Sequence, residues 1–276
     1  MTDRRLLPAN TRVAATELVG KHEAPRFVDG EWHRIAPSVV DLLTAPDGKR
    51  ERQLLHGQRV RVFDIHESHA FLQSGRDGYV GYCRADALTV DAAPTHHVAA
   101  PATHLYSAPD LKSPETCWLS HGSQLTIAGQ TGDWSETDSG GFVFTRHLVA
   151  QGAAPVDPVE TARLYLGTPY LWGGNSRDGI DCSGLVQAAL LSAGIACPGD
   201  SDLQQETVGS FLPVGTPAQR GDLFFWKGHV AMAADAETLI HANAHHMAVA
   251  LEPLHEALTR IAAREFGELL AHKRLD

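Results

Sequence analysis

The sequence predicts an α+β protein: an all-β first half, then a mixed half in which an antiparallel sheet packs on helices. Three observations predict this. Residues 36–150 alternate apolar and polar side chains over short runs broken by Gly, Pro and Asp, the pattern of short antiparallel strands. Residues 181–194, DCSGLVQAALLSAG, instead place Leu185, Ala188, Ala189 and Leu191 at helical spacing. After them, GDLFFWKGHVAMAAD and TLIHANA return to alternation and read as paired strands.

The 276 residues are enough for about two domains. A composition 43% hydrophobic and 20% charged is that of an ordinary globular chain and excludes disorder, collagen and coiled coil. The net charge of −10 lacks the basic footprint that nucleic acid or anionic lipid requires. No run approaches the roughly 20 apolar residues of a membrane span. The opening MTDRRLLPANTRVAATELVG has no apolar run of the roughly 7–15 residues a signal peptide needs. A cytoplasmic protein without nucleic-acid or membrane partners is expected. Cys83, Cys117, Cys182 and Cys197 are scattered and form no CxxC, so reduced thiols are expected.

Residues 1–35 are Pro-punctuated and read as an arm packed on another element. A loose internal repeat follows. DLLTAPD (Asp41–Asp47) echoes HLYSAPD (His104–Asp110), LLHGQRVRV (54–62) echoes WLSHGSQLTI (118–127), and GYCRADAL (81–88) echoes GFVFTRHL (141–148). Two small barrels are expected, at 36–92 and 93–150. The Pro-rich linker QGAAPVDP, Gln151–Pro158, leads into a mixed domain at 151–276. Pro158 suits the first turn of a helix over 158–166, and Gly194 suits a C-terminal cap of the helix over 181–194.

The turn-rich run TPYLWGGNSRDGIDCSG ends where that helix begins, which puts Cys182 at the helix N-terminus. Unpaired N–H groups and the positive dipole end favour a thiolate there. A small buried apolar cysteine is the other fate open to it. A nucleophilic thiolate needs a base. His229 and His241 lie on the two alternating runs with a turn between them. A three-residue loop, Ala234–Ala236, would centre the hairpin on residue 235 and set the imidazoles directly opposite. Their Cβ atoms would then be about 4.5–5.5 Å apart, and one ring could orient the other. An even-length loop would send them to opposite faces. Spacing also admits two unrelated histidines among the 16.

These residues resemble the NlpC-like cell-wall peptidases, a papain-like cysteine peptidase family with bacterial SH3-like barrels in front. The matching motifs are YLWGG (Tyr170–Gly174), DCSG (Asp181–Gly184), GDL (Gly221–Leu223) ahead of GHV (Gly228–Val230), and then His241. The peptidase match covers roughly residues 152–276, and the two barrels extend it over 36–150. The resemblance implies Cys182 as nucleophile, His229 as general base, His241 as its orienting residue and Tyr170 as an oxyanion donor. Asp181 and Ser183 would touch the substrate backbone. Similar two-barrel enzymes cut the bond between D-Glu and a diamino acid in murein peptides whose L-Ala carries a free amine. Tyr79 matches the first-barrel tyrosine that helps bind that amine, and a barrel-core aromatic is the alternative. Gln58 stands where relatives carry Glu, so ion pairing to the ammonium is lost there unless Asp77 or Glu67 supplies the charge.

No cofactor or metal is expected. His96-His97 and His245-His246 are adjacent pairs, which point to opposite faces of a strand, and neither HExxH nor a zinc-spaced Cys/His set occurs. Trp172 and Trp226 are open to cleft-lining or core roles, and Arg177 and Lys227 to substrate carboxylates or a solvated face. Cys83, Cys117 and Cys197 read as structural. Three functions fit: a cysteine endopeptidase on free murein peptides in wall-peptide recycling, an amidase or acyltransferase on the same scaffold, and a non-catalytic wall-binding protein.

Overall fold

The computed structural model describes residues 3–275. It divides into two compact units, Met1–Ala153 and Ala154–Asp276.

Strands joined by 3-10 turns build the first unit. A seven-stranded sheet runs in the order Arg50–Leu55, Val39–Leu43, Val80–Arg84, His69–Ser74, Arg59–His66, Glu31–Ile35, Leu88–Val90. Its first strand, Glu31–Ile35, precedes the alternating stretch that begins at residue 36. Period-2 alternation gathers Ile35, Leu42, Leu54, Val60, Val62 and Leu72 into one core. Val13 and Ala15 of the N-terminal stretch pack with Phe63, Phe71 and Val80. Residues 93–150 form a three-stranded and a five-stranded sheet around Val98, Leu105, Leu119, Leu125 and Val143.

The sequence echo has a structural counterpart. A Cβ on Gly81 would lie 2.7 Å from Leu42 Cγ, and one on Gly141 would lie 2.5 Å from Leu105 Cγ. Each echoed Gly therefore admits the core leucine of its own copy. In both copies a 3-10 turn follows (Ala85–Ala87, Thr145–His147) and then a short strand.

The second unit holds the helices α1 (Pro158–Arg163), α2 (Cys182–Ser192), α3 (Ser201–Thr207) and α4 (Leu254–Arg264). Its main sheet has the strands β1 (Ser210–Phe211), β2 (Leu223–Trp226), β3 (His229–Ala233), β4 (Thr238–Asn243), β5 (Ala248–Pro253) and β6 (Ala271–Arg274). They are antiparallel, in the order β1-β6-β2-β3-β4-β5. Both faces are covered. Leu223, Phe225, Val230, Met232 and Ile240 join Leu185, Val186, Ala189 and Leu190 of α2 in one core. Phe224, Trp226, Ala231, Ala233 and Leu239 join Ala257 and Ile261 of α4 in the other. Burial on both faces makes LFFW and VAMAA continuous apolar runs, which corrects the alternation expected there.

Pro158 stands in the first turn of α1, capped by the Asp157 carboxylate accepting from Val159 N–H at 2.8 Å. The helix stops at Arg163, short of the expected 166. Tyr165 and Leu166 tighten to bonds three residues back, ahead of left-handed Gly167 (φ 78°). Gly194 ends α2 as expected. At φ 73° it bonds back to the Leu191 carbonyl, while Ile195 N–H reaches Leu190, a Schellman closure.

Candidate active site

Cys182 is the first residue of α2, and the local chain is built to hold it there. Asp181 is the N-cap: its carboxylate accepts from Gly184 N–H at 2.6 Å, Gly173 N–H at 2.9 Å and Ser183 Oγ–H at 2.9 Å. The glycines of YLWGG and DCSG allow this close approach. A Cβ on Gly184 would lie 2.5 Å from the Gly174 carbonyl oxygen, and one on Gly174 would lie 2.4 Å from that of Gly179. Cys182 thus stands at the positive end of α2, and it is buried, packed in the core that includes Leu185 and Val186.

Tyr170 is tied beside this mouth, its N–H donating to the Met247 carbonyl at 2.9 Å and that of Leu171 to Ile180 at 3.1 Å. Burial, then the neighbouring Cys182 and Asp181, push the Tyr170 hydroxyl's pKa up, so it stays a proton donor.

The two histidines are brought together, but not in the expected register. β3 and β4 pair Met232 with Ile240 and Ala233 with Leu239, which centres the hairpin on residue 236 rather than 235. The three-residue turn is shifted by one position, from 234–236 to 235–237, with Ala234 N–H donating to the Thr238 carbonyl. His229 and His241 therefore share a face as diagonal neighbours, not opposed ones. Diagonal Cβ atoms are about 7–8 Å apart, within reach for long rings. His229 Nε2 lies 3.0 Å from His241 Nδ1. His229 also stacks on Phe266, centroids 5.0 Å apart at 11°, with Trp226 tilted beside it.

The ladder continues to residues that sequence reasoning did not find. His241 Nε2 lies 3.0 Å from Glu252 Oε2, and Arg260 of α4 grips both carboxylate oxygens at 2.8 and 2.7 Å. β5 pairs Leu239 with Glu252, so Glu252 again stands diagonal to His241. The available signal was an acidic residue inside an apolar strand, eight positions ahead of an arginine on the next helix. Burial lowers the pKa of His229 well below the usual imidazole range, with His241 and Arg260 adding to it and Glu252 opposing. His241 is lowered by burial against the opposing pull of Glu252. Burial alone would raise Glu252, but its bonds to Arg260 and His241 outweigh this and hold it well below the usual carboxylate range.

Gln58 and Tyr79 lie in the first unit. Gln58 is buried and its Oε1 accepts from Leu55 N–H at 3.0 Å. Tyr79 packs in the core with Leu42 and Leu54, the alternative left open for it. Asp77 pairs with Arg76 and accepts from Tyr79 N–H, while Glu67 sits at a turn with φ 52°. Trp226 is core at 2% exposure and Trp172 is 59% exposed. Arg177 donates to Thr168 Oγ1 and to the carbonyls of Tyr165 and Leu166. Among the described residues no group of three or more His, Cys, Asp or Glu could hold a metal ion.

Comparison with known proteins matches residues 167–263 to the NlpC/P60 family and residues 42–88 to the bacterial dipeptidyl-peptidase Sh3 domain. Dipeptidyl-peptidase 6 of Lysinibacillus sphaericus is 26% identical over 231 residues, covering 74% of this chain and 85% of that protein. The gamma-D-glutamyl-L-lysine dipeptidyl-peptidase of Bacillus cereus is 28% identical over 243 residues, 75% of this chain and 71% of that one. A crystal structure of an NlpC/P60 family protein from Bacillus cereus overlays with a TM-score of 0.75 at 22% identity, over 89% of this chain and 99% of that one, a shared fold. The capped cysteine helix and five of the six strands of the covered sheet thus fall in an NlpC/P60 domain, matched at residues 167–263 and preceded in the chain by a bacterial SH3 domain at 42–88, and the chain is a cysteine peptidase.

Proposed function

We propose that this peptidase hydrolyses the γ-D-glutamyl–diamino acid bond of free murein peptides of the L-Ala-γ-D-Glu-diaminopimelate type. One observation carries the chemistry: a buried imidazole pair, His229 and His241, hydrogen-bonded at 3.0 Å. Support for the bond class comes from likeness, over three-quarters of this chain, to a gamma-D-glutamyl-L-lysine dipeptidyl-peptidase.

In this reading His229 takes the Cys182 thiol proton and the sulfur attacks the γ-glutamyl carbonyl carbon. The Tyr170 hydroxyl donates to the oxygen that gains charge, a kind of contact worth about 2.7–4 kcal/mol. His229 then returns the proton to the leaving amine, the C–N bond breaks, and a thioester remains. Water, losing a proton to His229, cleaves the thioester, and that proton restores the thiol. Asp181 and Ser183 hold the mouth of α2 and guide the substrate backbone across it.

Recognition of the free L-Ala amine we assign to the first SH3-like barrel, residues 36–92, where Tyr79, its ring held in the core, offers only its hydroxyl and Gln58, its Oε1 already taken by Leu55 N–H, offers at most a dipole to the ammonium. Residues 93–150 we read as a second barrel of the same kind, supported by the repeated Gly–Leu contact, with 1–35 the arm and 151–276 the peptidase domain. The setting we propose is cytoplasmic recycling of wall peptides, without nucleic-acid or membrane partners. The acidic net charge of −10 supports free peptides over an anionic polymer. Among the described residues no helix is long and apolar enough to cross a membrane.

The test is incubation of L-Ala-γ-D-Glu-diaminopimelate with the protein and with Cys182→Ala. The reading expects L-Ala-D-Glu to be released by the wild type alone, and the corresponding N-acetyl dipeptide to be released more slowly from an N-acetylated tripeptide. An intact tripeptide would overturn it.

A further inference from the structure

We propose that Glu252, gripped by Arg260, is a positioning residue for the base: it holds the proton of His241 on Nε2, and His241 in turn holds the proton of His229 on Nε2, leaving His229 Nδ1 bare. The inference rests on the reading of Cys182 and His229 as nucleophile and base.

An ionised carboxylate only accepts. Glu252 Oε2 lies 3.0 Å from His241 Nε2, so that nitrogen carries the hydrogen. A neutral imidazole has one N–H and one acceptor nitrogen. His241 Nδ1 is therefore the acceptor, and its partner at 3.0 Å, His229 Nε2, is the donor. Nδ1 becomes the basic nitrogen of His229, whereas the opposite tautomer would carry a hydrogen there and could take no proton. Arg260 is part of the device because it keeps Glu252 ionised: its Nε and Nη2 hold the two oxygens at 2.8 and 2.7 Å. The three elements involved, β4, β5 and α4, supply one group each, and Phe266 after α4 fixes the ring plane of His229.

Other charged groups meet this chain. Glu265 pairs with Arg260 beyond the carboxylate. His246, on the turn between β4 and β5, faces His241 and disfavours its charging. On His229 itself Glu252 favours the charged ring, whereas Arg260 and His241 disfavour it.

Opposed signs make the test. The pH profile of kcat/KM for the tripeptide is measured for Glu252→Gln and Arg260→Gln. Removing the carboxylate destabilises the imidazolium, so the Glu252→Gln profile moves to lower pH. Its plateau falls about 10- to 100-fold, part of the roughly 10²–10⁴ a positioned base supplies, mostly in kcat. Removing the guanidinium leaves the carboxylate uncompensated, so the Arg260→Gln profile moves to higher pH. A mere pin between α4 and the sheet would lower both melting temperatures without opposite displacements, and that result overturns the proposal. Should either variant fail to fold, Glu252→Asp serves. It keeps the charge but shortens the arm, so its profile stays in place with a lowered plateau, and a full-rate Glu252→Asp contradicts the proposal. Cys182→Ala separates the two readings. If it still cleaves, the nucleophile is wrong, whereas an inactive Cys182→Ala beside a wild-type-like Glu252→Gln overturns only the positioning role.

Discussion

The main sheet of the peptidase unit holds two buried clusters of the same three groups. In one, Glu252 joins His241 and Arg260. In the other, Asp222 accepts from His272 Nε2 at 2.8 Å and from Arg274 through both oxygens at 2.7 Å. They differ in what lies beyond the ring. His272 lies flat on Phe224, centroids 4.2 Å apart at 16°, and Asp222 also takes the Gln219 N–H, so this cluster closes on structure. His241 passes on to a second imidazole, His229. A histidine–carboxylate–arginine set is therefore not a relay by composition. The far nitrogen decides.

The largest expected effect tests whether the histidine ladder has a reaction to serve. Cys182→Ala is expected to lower hydrolysis on the order of 10⁴–10⁶-fold, with little change in melting temperature. Substantial residual cleavage would leave both clusters merely structural. Next, Asp222→Asn leaves buried donors poorly paired and is expected to cost about 1–3 kcal/mol of stability. The folded fraction should keep the wild-type pH–rate profile, and a displaced profile would erase the distinction between the clusters. Asp181 is a third buried carboxylate, used on backbone rather than on an arginine. Asp181→Ala is expected to cost about 0.5–2 kcal/mol through loss of the α2 cap, read by denaturant unfolding. The smallest effect concerns ring stacking. Phe266→Leu, which keeps apolar bulk but removes the stacked ring, should cost about 0.5–1.5 kcal/mol and lower activity, whereas Phe224→Leu, with a similar stacking loss, should leave the pH profile in place.

Acid stability separates the groups further. His229 and His241 have pKa values below the ordinary 6.5 because burial disfavours their charge. The unfolded chain binds their protons first, so stability is full above pH 6.5 and falls as pH drops from there toward their folded values. Glu252 and Asp222, each held below its ordinary value of 4.5 or 3.8, add a second loss at lower pH. A melting temperature flat from pH 7 to 5 would contradict the buried neutral histidine pair.

Much of this site was legible in the sequence because its signals are local. Cys182 at a helix mouth follows from turn residues running into 3.6-residue spacing, and Gly194 and Pro158 mark helix ends by their own backbone chemistry. The face shared by His229 and His241 was legible from parity. Their exact opposition was not, because it depends on one turn residue: the hairpin centres on 236. Glu252 and Arg260 lay beyond reach for a different reason. Their meaning comes from a cross-strand diagonal and from α4 folding back on the sheet, neither of which leaves a periodic trace. Tyr79 shows the reverse limit, since a barrel-core aromatic and a ligand-facing one look alike in an alternating strand.

The most direct measurement is a ¹⁵N–¹H long-range correlation spectrum of the histidine side chains near neutral pH, assigned by His229→Gln and His241→Gln. Two neutral rings are expected, each protonated at Nε2 with Nδ1 bare. A hydrogen on Nδ1 of His229 would contradict it.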